Sequence, residues 1–275
     1  MTPNRIDTTN MAPHPGNAPK DDFSATAAES SQPLTGHRSA LGRILLFGVV
    51  GIVAGLLGVF VIHGIGEVFQ LPKELAALGI GGIPGPEAQA KIIAGNAVLN
   101  YKHFALWFGV VGALWAGLFG LITSQSGSSG NRLPSRVTFM VKAVVLGSVF
   151  GVLGGLISNF TSIQIHKNIP AGQLSAPEHW FFVLHGITWL VVGAGVGLGA
   201  GTGTGSAGNR FTDLILCSTV TASAGMLGGI LYPLLAAFIV PAADVTMPIP
   251  DDTSARLLWM GLPALLIGLA LGRRT

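Results

Sequence analysis

The chain has 275 residues, of which 49% are hydrophobic and only 10% charged, against roughly 25% charge in an average soluble domain. That balance excludes an ordinary water-soluble globule and points to the membrane. The net charge of +3 is scattered over segment ends and not clustered, which excludes a nucleic-acid surface.

Residues 1–40 are rich in Pro, Ser, Thr and Ala and hold no apolar run. They are predicted to be a disordered cytoplasmic tail. The stretch lacks the apolar core of a cleaved signal peptide, so the first spanning helix is expected to serve as the insertion signal.

Six segments then approach the ~18 apolar residues that a spanning helix needs. The first, near 44–66, contains GIVAGLLG at 51–58, with Gly51, Gly55 and Gly58 on one helix face. His63 and Glu67 follow one turn apart. The outer loop at 79–89 is rich in Gly and Pro, and His103 precedes the second segment, 104–123. That segment has small residues at Gly109, Ala116 and Gly120, with Trp107 beside them.

A basic linker, SSGNRLPSR at 128–136, leads to the third segment, 138–161, where GSVFGVLG places Gly147, Gly151 and Gly154 as in the first. His166, His179 and His185 come next, His185 just inside the fourth segment, 180–201. There Gly186, Gly193 and Gly197 repeat the spacing of the second segment. The glycine run through 201 resembles a dinucleotide turn, with Asp213 as the ribose acid, but it lies within a spanning segment and is read as a packing helix. The fifth segment, 212–239, brings back the odd-helix phrase as Thr221, Gly225 and Gly228, and holds Cys217 and Pro233. With one cysteine, no internal disulfide is possible. After a Pro-rich loop at 240–252, the sixth segment, 256–272, carries Trp259, Pro263 and the even-helix set Gly261, Gly268 and Gly272.

An all-α polytopic membrane protein follows, with six transmembrane helices arranged as three repeated helical hairpins (about 41–132, 133–210 and 211–272) related by a pseudo-threefold axis. The small-residue faces are expected to let helices approach closely, on the axis or between hairpins. Trp107, Trp180 and Trp259 suit an interfacial belt. Arg43, Arg132, Arg136, Arg210, Arg273 and Arg274 fall at one set of helix ends. The cell (inner or plasma) membrane is the expected location, with both termini cytoplasmic.

All histidines after residue 40 fall at the opposite, outer ends. His63, Glu67, His103, His166, His179 and His185 are therefore the candidate ligands for a divalent metal at the outer face. No other cofactor and no catalytic residue is expected, since nothing suggests a nucleophile with base and orienting acid. Thr188, Thr219, Thr221, Ser148 and Ser223 are the hydroxyls available to line a polar path. The leading functional expectation is a small-solute or ion permeation protein in the lipid bilayer. Its alternative is a non-transporting scaffold or assembly subunit packed through glycine faces. A continuous polar cavity on the axis would favour the first and a dry seam the second.

Overall fold

A computed structural model describes residues 35–66, 68–79, 85–126, 133–169, 177, 179–202 and 209–274. The expected tail falls almost entirely outside them, as does Glu67. The chain divides into Met1–Gly36 and His37–Thr275, and all contacts below lie within the second unit.

Seven helices account for the regular structure of the described residues: α1 Thr35–Ile65, α2 Lys73–Ala77, α3 Pro86–Ser126, α4 Leu133–Lys167, α5 His179–Gly201, α6 Arg210–Ile239 and α7 Thr253–Arg274. All but the short α2 are long and apolar enough to cross a membrane, the build of a multi-pass membrane protein. The glycine run of α5 is continuous helix, so no strand-turn for a dinucleotide forms there. Asp213 pairs with Arg274 at 3.5 Å. Pro233 and Pro263 lie within α6 and α7, while Pro241 follows the end of α6.

Two elements exceed the expectation from hydropathy. The 41 residues of α3 extend for about 60 Å at 1.5 Å per residue, twice a hydrocarbon core of about 30 Å. The extra turns, from Pro86 to Lys102, are built of good helix formers such as Ala, Glu, Gln and Lys. Just before them α2 covers α3, with Leu71 and Leu75 side chains against Gly95. At the other side of that connection α1 ends on Gly66, whose φ of 54° only glycine adopts easily, and whose N–H reaches back to Ile62 O.

Apolar side chains left exposed concentrate on α1, α4 and α6: Leu45, Val49 and Phe60, then Val141, Val145 and Phe160, then Ile215, Leu227 and Phe238. In contrast, the largest fully buried side chains come mostly from α3, α5 and α7. Helices α3, α5 and α7 are therefore the inner ones, and α1, α4 and α6 the outer ones.

Glycines decide how the layers meet. On α4, a Cβ at Gly147 would run into Gly112 O, one at Gly151 into Phe108 O, and one at Gly155 into Phe104 O, all on α3. Gly154 instead faces Val192 on α5, at 3.0 Å from its Cγ2. On α6, Gly225 and Gly229 meet Trp189 O and His185 O of α5, and a Cβ added at Gly228 would come within 2.5 Å of Pro263 Cα of α7. On α1, Gly51 meets Ala264 O, a Cβ added at Gly55 would come within 2.7 Å of Gly261 Cα, and Gly58 meets Met260 and Trp115. From the inner side, Gly193 and Gly197 abut Thr221 O and Cys217 O, Gly268 abuts Phe47 O, and a Cβ added at Gly272 or Gly120 would come within 2.8 Å of Ile44 Cα or 3.0 Å of Ala143 Cβ. Gly109 and Gly186 lie nearest to side chains, those of Val152 and Ile230. Each outer helix thus sits in the groove between two inner ones. Its closest backbone approach is to the inner helix of the neighbouring sequence hairpin: α4 to α3, α6 to α5 and α1 to α7. The small-residue faces meet between hairpins.

One spacing differs from the sequence expectation. Gly151 faces Phe108, and Gly55 faces Gly261 and Met260, whereas the matching Gly225 faces Trp189. Gly186 meets Ile230 of α6 and does not take part in the backbone approach that Gly225 makes to Trp189.

Candidate functional site

The centre of the bundle is aromatic. Trp115 and Trp189 stack at 5.0 Å between centroids, Trp189 meets Trp259 at 5.0 Å, and Phe108 packs edge-on to Trp259 at 5.6 Å. These four are essentially inaccessible. Trp259 belongs to this core and not to an interfacial belt, whereas Trp180 is exposed and Trp107 donates to Gly66 O at 3.2 Å. Three of the five hydroxyls expected to line a path turn back to their own helices. Thr188 donates to Leu184 O, Thr219 to Ile215 O and Thr221 to Cys217 O. Such back-bonding satisfies a hydroxyl without a solvent path.

A cup opens at the end where the histidines lie. Its volume is about 720 Å³, within the ordinary range for small-molecule sites. The ends of α1 and α4, the middle of α3, the start of α7 and the α6–α7 loop form its walls. Ile62, Phe104, Asn159, Ser162 and Ile249 are its buried lining, Arg256 is half-buried, and His63, Asn100, His166, Lys167 and Asp251 stand exposed at the rim. Basic residues in the last turn of α4, His166 and Lys167, also suit that helix terminus.

Asn159 is 4% exposed, and its Nδ2 has no hydrogen-bond partner; neither has the buried Oγ of the adjacent Ser158. Buried polar atoms are nearly always paired, so Asn159, which lines the cup, marks its deep wall as chemically unfinished.

The loop between α6 and α7 is folded into place by His185. This side chain is wholly buried; its Nδ1 accepts from Trp259 Nε1 at 3.1 Å, so the proton sits on Nε2, which donates to Val245 O at 3.1 Å. Tyr232 packs edge-on against the imidazole. Further along, the N–H of Thr246 donates to Asp244 Oδ1 at 2.9 Å, and Arg256 Nε donates to Pro250 O at 2.5 Å. Asp252 Oδ1 caps α7 through the N–H of Ala255 at 2.9 Å. Pro248, Ile249 and Pro250 are buried as a result.

The candidate metal ligands separate into several places. His63 and His166 share the cup, and His166 Nδ1 donates to Ser162 O at 2.8 Å, leaving Nε2 as the outward nitrogen. His103 stacks on Trp107, and its Nε2 accepts the N–H of Phe69 at 3.0 Å. His179 lies against Trp180 at the start of α5, and His185 uses both ring nitrogens in the core. Among the described residues, no three His, Cys, Asp or Glu side chains come together to hold a metal. Reasoning from histidines did reach this end of the molecule, but it missed Asn159, Ser158, Asn100 and Arg256. The polar pair in the apolar run GGLISNFTSI at 154–163 was the available signal.

Comparison with protein-family models, curated proteins and solved structures found no match.

Proposed function

We propose that this chain is a small-solute transport protein of the cell membrane, with the cup as its solute site and the aromatic core as the closed barrier beneath it. The single observation that carries this reading is the cup: a cavity of about 720 Å³ with an unpartnered, buried Asn159 amide in its wall. Solute held there does not meet an open pore, so passage requires the helices to move around the Trp115–Trp189–Trp259 cluster. That is the behaviour of an alternating-access carrier and not of a channel. The reading assigns no bond-making chemistry and needs no cofactor.

Three related hairpins are the proposed origin of the bundle. Support comes from the three seams, where Gly151, Gly225 and Gly55 each press on an inner helix at corresponding points. Both termini are placed in the cytoplasm and the cup outside, because Arg136, Arg273 and Arg274 gather at the end opposite the cup.

The second reading, a scaffold without transport, is favoured by the dry core and by hydroxyls that bond within their own helices. Reconstitution into liposomes separates the two. Transport predicts saturable uptake of at least one small solute from a mixed metabolite pool, reduced tenfold or more by Asn159→Asp. Uptake equal to that of empty liposomes for the whole pool would leave the scaffold reading.

A further inference from the structure

We propose that the cup selects a small organic carboxylate, an anionic head on a short apolar body. This deepens the solute-site reading and rests on it. The first support is the Asn159 amide. Asn159 lines the cup and its Nδ2, a pure donor, is buried without a partner, so a small turn of the side chain toward the cavity would offer it to a ligand's acceptor. The second is charge. Lys167 and Arg256 face the cup against Asp251 alone, an excess of one positive charge among its described lining residues. Arg256 spends Nε on Pro250 O, one of five N–H groups that a guanidinium offers. The first turn of α7 does not compete, because Asp252 already caps it. The third support is the wall itself. Ile62, Phe104 and Ile249 are buried and apolar, which suits a hydrocarbon body better than a fully hydrated inorganic ion. A divalent cation fits poorly, since no three ligating side chains of the usual kinds converge among the described residues.

The test uses the full-length protein in discs of neutral phosphatidylcholine. Acetate, butyrate and hexanoate are titrated at constant ionic strength beside their primary amides, and the unfolding midpoint is followed, since a ligand that binds only the folded state raises it. The expected result is stabilisation by the acids that strengthens with chain length, with the amides at least tenfold weaker. Asn159→Asp should abolish the effect. Lys167→Gln, at the exposed rim, should weaken it several-fold while lowering the unliganded midpoint only slightly, through the lost charge at the end of α4, and it serves as the test if Asn159→Asp does not fold. Equal stabilisation by acid and amide, weakened alike by Asn159→Ala, would overturn the carboxylate assignment and leave the solute site standing. Stabilisation by the acids that both Asn159→Asp and Lys167→Gln leave intact would place binding elsewhere and overturn the proposal. No response to either series would overturn the carboxylate assignment and remove the support it lends to the cup.

Discussion

Gly55 and Gly261 touch each other, yet they are not equivalent. A Cβ on Gly55 would lie 2.7 Å from Gly261 Cα, whereas one on Gly261 would meet nothing within 4 Å. Gly55→Ala should therefore cost about 1–3 kcal/mol, as overpacking does, and Gly261→Ala should stay within about 0.5 kcal/mol. Reversible unfolding in mixed micelles measures both, and equal losses would contradict the seam. The sequence marks both residues as packing glycines and cannot say which one supplies the bare surface. That depends on helix rotation, which a pattern of small residues constrains only to a face. His185 shows the same limit. Its depth is legible from the segment around it, but its hydrogen bonds run to Trp259 and Val245, more than fifty positions away, and these turn an apparent ligand into an anchor for a loop. Asn159 escaped notice because a neutral amide gives no charge signal, although its burial makes it the costlier group to leave unpaired.

At the scale of elements, the spans were readable because hydrocarbon demands long apolar helices, and nothing but length and hydropathy is needed to find them. Their ends were not. The extension of α3 beyond the apolar segment rests on helix propensity and on the cover that Leu71 and Leu75 give to Gly95. Hydropathy cannot see either. Helices α3, α5 and α7 contain the small residues expected of them, but which of these meet backbone and which meet side chains, as Gly186 meets Ile230, is not legible from their spacing. Orientation belongs to this scale as well. Cys217 is buried, so it provides a quiet background for introduced thiols. In intact cells, a membrane-impermeant maleimide should label Gln70→Cys and spare Asn209→Cys. Labelling with the reverse pattern would invert the topology and place the cup in the cytoplasm.

Across the whole molecule, three inner helices bring their tryptophans together while three outer helices fill the grooves between them. Small residues permit this because lipid gives no hydrophobic drive for association, so close backbone packing must do the holding. The result is solid in the middle and open at one end. The proposed carrier reading rests on that combination of a hollow at one end and a closed centre.

Thiol accessibility tests that combination directly, with single cysteines introduced in turn at Asn159 in the cup wall and at Thr188 beside the central Trp189, in the full-length protein in sealed vesicles. A small water-soluble methanethiosulfonate should modify Asn159→Cys from the cup side only and leave Thr188→Cys unmodified from either side. Modification of Thr188→Cys from both sides, or an Asn159→Cys that resists the reagent from both, would contradict a watered cup above a dry core.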